Sequence, residues 1–412
     1  MTRTQRIVLG VILAVGFLGR AGYAWRYPQW GPNHTIPSPD EYARLAQTLL
    51  DHGSLLTEEG NFSAHREPAY PAFLALIFLV GRSYRWAQWV QCVLGTVSVG
   101  LLFLLGKQVW DARTGLVAAA IGSLYPQWVY YAGLLYRETW MIFIVLIGLL
   151  FLLWSYRHPC TRHYAWSGVV QALGPLTNSA FLPFGLLMVP GMIAWLHRNS
   201  PRRWVWVGVY LLGFVPLYGV WVARNFYHFH AWVVGVVGGG ANLYVYQVVP
   251  PNLAGTEAQK VISQNDPIIQ GSTHLGDMEK DKYFYRQGIR LALRHPLHFL
   301  GLCVQRILKL WRLYPYPRDY AHHYRLLKIV SLASDGWIIP LGLVGMLLLG
   351  FKKPETLYWY ALLFSTSAVY ALLWAMIRYR LPMMVPMILF CAYTLSWLFE
   401  KFQEKLCPKS IP

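Results

Sequence analysis

The chain has 412 residues, 56% of them hydrophobic and 13% charged. Soluble domains carry about 25% charged residues, so a water-soluble globular fold is excluded. The net charge of +18 does not indicate nucleic acid either. Lys and Arg are spread over short segments between apolar runs, which is the pattern of the positive-inside rule and not of a basic soluble module.

The first apolar run, Ile7 to Trp25, is too long and too poorly terminated for a cleaved signal peptide. It reads as a retained anchor, span 6–25. Directly after it comes SPDEYARLAQTLLDHGSL, which places Asp40 and Glu41 at the start of an amphipathic helix. HREPAYP follows, with Arg66 and Glu67. Charges beside a bilayer are costly unless they face water or a ligand, so this loop is the first candidate for a site. Pro68 to Gly81 is apolar but short for a crossing, and reads as an interfacial or re-entrant helix.

Runs of adequate length then predict spans at 86–109, 114–134, 138–156, 164–177, 179–197 and 203–224. A long polar stretch follows, with a helix expected from Lys280 to Arg294. The segment 296–313 spaces Gln305, Arg306, Lys309 and Arg312 on one face, which predicts a basic interfacial helix. Spans 326–349, 356–377 and 380–399 complete the set. Apart from Arg20, near the end of the first span, the span interiors are expected to lack ionisable residues.

Loop charge sets the orientation. With the N-terminus inside, the inner segments hold Arg3, Arg6, Lys107, Arg113, Arg157, Arg162, Arg198, Arg202, Arg203, Lys352, Lys353, Lys401, Lys405 and Lys409. Only Asp111, Glu355, Glu400 and Glu404 oppose them. The fold expected is an all-α polytopic bundle of about ten transmembrane helices with outer juxtamembrane helices, one membrane domain over 1–412. The two large outer loops are 26–85 and 225–325. Five scattered cysteines (Cys92, Cys160, Cys303, Cys391, Cys407) form no CxxC pair and indicate neither a disulfide framework nor a zinc ribbon.

This orientation collects the polar residues at span ends on one face: Asp40, Glu41, Arg66, Arg137, Glu138, Arg224, Asn225, Arg378 and Arg380. Several arginines at headgroup depth suit a lipid phosphate. Nearby carboxylates can take a proton from an acceptor, or hold a divalent cation against the phosphate. The competing readings are structural. Asp40 can serve as a helix N-cap, single arginines can be snorkelling anchors, and Glu67 can pair with Arg66 or His65. His322 and His323 read as surface residues, and Gly238-Gly239-Gly240 as a flexible turn.

These segments resemble the polytopic GT-C glycosyltransferases, in the protein mannosyltransferase-like (family 39) and aminoarabinose-transferase-like branch. PDEYARLAQTLLDHG is similar to that family's first-loop motif, and HREPAYPAFLALIF to its Arg-x-Pro-Gly-Tyr-Pro stretch, with Ala69 where glycine is usual. LYPQWVYYAGLLYRET, WVARNF, RHPLHFLGLCVQRILKLW and RYRLPMMVPMIL match further motifs in the family's order, so the resemblance runs from about Arg6 to Leu398. It implies a polyprenyl-phosphate-linked sugar donor and inverting transfer to a glycan, lipid or protein acceptor on the outer side. By position it implies Asp40 as catalytic base and Glu138 as second acid, the two able to share a divalent cation. It implies Arg66, Arg224, Arg378 and Arg380 as contacts of the donor phosphate or sugar, while Asn225 reads as structural as readily as functional, and Glu41 and Arg137 are further candidate substrate-binding residues by their position on the same face. It also implies a bacterial cytoplasmic membrane, with both termini cytoplasmic. The short tail carries the expectation that no large C-terminal soluble domain follows, which weighs against a peptide-sequon role. A lipid-linked sugar flippase, a non-catalytic lipid-phosphate-binding relative and a surface-polysaccharide polymerase or ligase stay open as alternatives.

Overall fold

The structure is a computed structural model and describes residues 1–26, 41–249, 253, 257–315 and 324–406. Asp40, His322, His323 and Cys407 lie outside the described residues. Those described form helices and connecting turns, with one isolated bridge between Leu56 and Phe62.

Helix α1 (Arg3–Arg26) is the expected anchor. Helices α2 (Tyr42–His52) and α3 (Ala69–Val80) pack on each other at one end of the bundle. The twelve residues of α3 rise about 18 Å, short of a crossing. Helix α4 (Tyr84–Val109) is a full span. The span expected at 114–134 is two pieces, α5 (Ala112–Leu124) and α6 (Pro126–Ala132). Pro126 is the cause, since it excludes helical geometry at Tyr125, whose backbone is extended. The break frees the carbonyls of Gly122 and Ser123, and buried Arg20 donates to both. This is how a guanidinium is tolerated inside α1.

Helices α7 (Glu138–Arg157) and α8 (Thr161–Thr177) follow. Extended Asn178 then separates α8 from the run Ser179–Leu196, which passes through a 3-10 turn and a π turn before α9 (Val189–Leu196). The 164–197 region therefore holds two helical runs, of which Ser179–Leu196 is long and apolar enough to cross a membrane. Helix α10 (Arg203–Phe229) lies so close to α8 that a Cβ on Gly168 would sit 2.0 Å from the Tyr210 carbonyl oxygen. A Cβ on Gly213 would sit 2.2 Å from that of Ala165. Small residues allow this approach where no water drives helices together.

Beyond α10 lie α11 (Gly239–Val248), α12 (Glu257–Asn265), α13 (Pro267–Gln270), α14 (Asp277–Arg294) and α15 (Pro296–Leu310). Helices α16 (Tyr324–Leu349), α17 (Leu357–Leu372) and α18 (Met384–Leu406) close the bundle, with a 3-10 segment Ile377–Met383 leading into α18. The Ile377–Leu406 helix is the central post, with 78% of its apolar window buried against 22% for α1.

Among the described residues, seven helices are long and apolar enough to cross a membrane. The other expected spans correspond to the broken α5–α6 pair and to the shorter α8 and α17. The chain is an integral membrane protein.

Two expectations need correction. The basic face of 296–313 does not lie on a membrane surface. Arg306 is fully buried and donates to the carbonyls of Ala371, Leu372 and Tyr246, so it caps the last turn of α17. Lys309 is also buried, over the Trp374 ring. The spans also contain a second ionisable residue besides Arg20. Asp335, in the middle of α16, is fully buried and paired with Arg380.

Candidate functional site

The first loop builds one side of the site. Leu56 and Phe62 form a short bridge, and Ser63 N donates to Leu55 O. This brings Ser63 to Glu67 back against the bundle. Glu67 is almost wholly buried and accepts from Arg137 Nη1 at 2.8 Å and from the Ser179 backbone N at 2.7 Å. Arg137 also donates to Thr177 O, so one ion pair ties the first loop, the start of α7 and the end of α8 together.

The turn that carries Arg137 and Glu138 is fixed from α4. Gln88 donates to Gly133 O and Gln91 to Leu134 O, while Tyr70 on α3 donates to Gln91. Glu138 opens α7 and is buried there. A carboxylate at a helix N-terminus is electrostatically favoured. The Arg378 guanidinium stands 3.7 Å from Glu138 Oε1, between the faces of Tyr136 and Tyr379. Tyr379 stacks on Tyr370, whose hydroxyl accepts from Asn178.

Tyr42, in the first turn of α2, is buried at the centre of these charges. It stands edge-on to Tyr70 with ring centroids 5.0 Å apart, within electrostatic reach of Arg137, Glu67, Glu138 and Arg66. Burial pushes its phenol well above the usual range, against the pull of Arg137. Three guanidiniums (Arg66, Arg137, Arg378) and two carboxylates (Glu67, Glu138) thus form one cluster.

The other expected site residues are engaged in contacts of their own. Glu41 caps α2 in the left-handed conformation, φ 61°, and its carboxylate pairs with Arg44 at 2.7 Å on the surface. Arg224 donates to Ser63 O, Leu55 O and Asn225 Oδ1, and lies against the rings of Phe62, Trp221 and Phe229. Asn225 is buried and donates to Val233 O. Both hold the first loop and the end of α10 in place. Arg380 is fully buried, donating to Asp335 at 2.5 Å and to the carbonyls of Leu310 and Arg312 at the end of α15. Tyr125 and Gln127 complete the ring around Asp335.

The second large loop closes on the first. Val237 N donates to Ala64 O, and His65 Nε2 meets Asp277 Oδ2 at 3.1 Å. Gly238-Gly239-Gly240 is the start of α11. Asp281 accepts from the backbone N of Gly238 and of Gly240 there.

Of the two carboxylates expected to hold a cation, Glu138 is described and Asp40 is not. Among the described residues no group of three His, Cys, Asp or Glu could hold a metal, and a guanidinium faces Glu138. No signal in the sequence marks Tyr42 or Asn178, and Glu67 has a local pairing on offer there with Arg66 or His65. Glu67 was visible in HREPAYP, but its partner lies 70 residues away.

Residues 65–222 match the family model for dolichyl-phosphate-mannose-protein mannosyltransferase. The matched stretch contains Arg66, Glu67, Arg137 and Glu138. No curated protein sequence matches the chain. An oligosaccharyltransferase from Archaeoglobus fulgidus, solved with an inhibitory peptide and a dolichol-phosphate, superposes with a TM-score of 0.59 at 17% identity, over 100% of this chain and 52% of that one. The same enzyme tethered to an acceptor peptide superposes with a TM-score of 0.60 at 16% identity, over 100% and 51%. The chain therefore spans about half the length of these structures. ArnT from Cupriavidus metallidurans bound to undecaprenyl phosphate covers 98% of this chain and 80% of its own at 14% identity, with a TM-score of 0.40, too low to carry an argument.

Proposed function

Because the chain has the GT-C fold, we propose that it is a membrane glycosyltransferase that moves a sugar from a polyprenyl-phosphate donor to an acceptor on the extracytoplasmic side. The observation that carries this reading is the cluster of three guanidiniums and two carboxylates at one end of an apolar bundle. A lipid phosphate needs both an apolar path for its tail and cations at headgroup depth. The neighbour solved with a dolichol-phosphate supports the same donor class.

In this mechanism Asp40 takes the proton from an acceptor hydroxyl or amine. The acceptor's electron pair forms the new bond at the anomeric carbon with inversion. The bond from that carbon to the phosphate oxygen breaks, and the polyprenyl phosphate leaves with the electron pair. Arg66 and Arg378 meet the charge that develops on the phosphate. Arg137, held by Glu67, is a positioning residue. Glu138 orients Arg378, and a divalent cation shared by Asp40 and Glu138 stays a proposal through which no step runs. The site faces the periplasmic side of a bacterial cytoplasmic membrane, with both termini in the cytoplasm.

The flippase reading draws some support from Asp335 and Arg380, because charges deep in spans mark many transport paths. That pair, however, is locked to Tyr125, Gln127 and two main-chain carbonyls, and both side chains are wholly buried.

The test is Asp40→Asn in purified, folded protein. The expected result is a loss of transfer of at least a hundredfold with donor binding retained, the scale of removing a general base. Full transfer by the folded variant would overturn the assignment.

A further inference from the structure

Helix α14 separates its charges along its length. Asp277, Glu279 and Asp281 all fall in its first five residues. From Lys282 onward the helix carries only cations: Lys282, Arg286, Arg290 and Arg294. These recur every four residues, so they rise as one stripe along a helix face. All four side chains are exposed. Among the described residues none of the four forms an ion pair.

The opposite face is fixed. Phe284 and Gly288 are buried against α11, and a Cβ on Gly288 would meet the Leu243 side chain at 2.8 Å. The helix therefore cannot roll its cations inward.

Apolar side chains share the exposed face. Ile289 and Leu293 stand beside the stripe, with Leu293 76% exposed. Past the break at His295, α15 exposes its own apolar set, Leu297, Leu300, Val304 and Leu308. Within α15 their spacing of three or four residues makes one ridge. Arg306 anchors the other side of α15 to the Ala371 and Leu372 carbonyls, so the ridge is held outward.

We propose that this face of α14 and α15 docks on the anionic phospholipid headgroups of the bilayer surface, with the four cations on phosphates and the ridge in the acyl boundary. Charge complementarity selects this occupant. Four unpaired cations alone would suit any polyanion, but exposed apolar side chains on α14 beside them and on the adjoining α15 suit a surface that is anionic above and hydrocarbon below. The inference does not rest on the transferase reading.

The experiment is native mass spectrometry of the purified full-length protein titrated with phosphatidylglycerol or phosphatidylcholine. The wild-type protein is expected to prefer phosphatidylglycerol at least tenfold, and the preference should weaken as salt is raised. The K282Q/R286Q/R290Q/R294Q variant should lose it. R286K/R290K/R294K should keep it, since charge and not fork geometry is at work. R198Q/R202Q/R203Q, altered in a different loop, should also keep it. Equal binding of the two lipids, wild-type preference in the quadruple variant, or a preference indifferent to salt would each overturn the proposal. The salt titration of the wild-type protein decides the matter even if the quadruple variant misfolds.

Discussion

Glu67 is the residue on which the geometry of the site turns. It is buried, it holds Arg137 at 2.8 Å, and it accepts the backbone N that begins the Ser179 turn. Glu67→Gln keeps an acceptor for Ser179 but removes the charge that fixes Arg137. Removing one member of a buried pair costs roughly 3 kcal/mol, toward the lower end of the known range because Arg137 is partly open to solvent. A drop in thermal midpoint, with transfer reduced at least tenfold and Tyr42 burial intact, is the expected outcome. Unchanged stability and transfer would assign Glu67 no role. The sequence singled out Arg66, Arg137, Glu138 and Arg378 by their place at span ends, and the structure gathers these four. It could not rank Glu67, because a carboxylate next to Arg66 and His65 appears satisfied locally. Nor could it separate Arg224 and Arg380 from the others, since an arginine at a span end reads the same whether it faces a ligand or a main-chain carbonyl.

At the scale of elements, buried guanidiniums serve as helix caps. Arg20 takes the carbonyls at the end of α5, Arg306 those of α17, and Arg380 those of α15. In hydrocarbon a freed carbonyl has no water to turn to, so each broken or shortened helix calls for an internal donor. Asp335 balances the deepest of these. Asp335→Asn leaves Arg380 buried without its counter-charge and should destabilise the protein by roughly 3–5 kcal/mol. The double change Asp335→Asn with Arg380→Gln should recover part of the loss, as denaturation in detergent would show. Equal destabilisation by the single and double changes would argue against an energetic coupling. The break at Pro126 was legible as a proline but not as a helix end, because the apolar run continues through it. The basic spacing of α15 was also legible, but its direction was not. Periodicity identifies a face and is silent about what covers it.

At the scale of the molecule, two loops distant in sequence close over one end of an apolar bundle, joined through Val237 and Ala64 and through His65 and Asp277. Apolar run length and loop charge were enough to expect a polytopic helical bundle with large loops, since both follow from the cost of hydrocarbon crossing. The ordering of helices around α18 was not, because lipid-facing and core-facing apolar side chains look alike in sequence. The central claim, that this end of the molecule transfers a sugar, is tested most directly by incubating the purified protein with a panel of polyprenyl-phosphate sugars and candidate acceptors and reading the products by mass spectrometry. The expected products are a glycosylated acceptor and free polyprenyl phosphate, and neither with Asp40→Asn. Movement of labelled lipid across reconstituted membranes with no new glycosidic bond would contradict it.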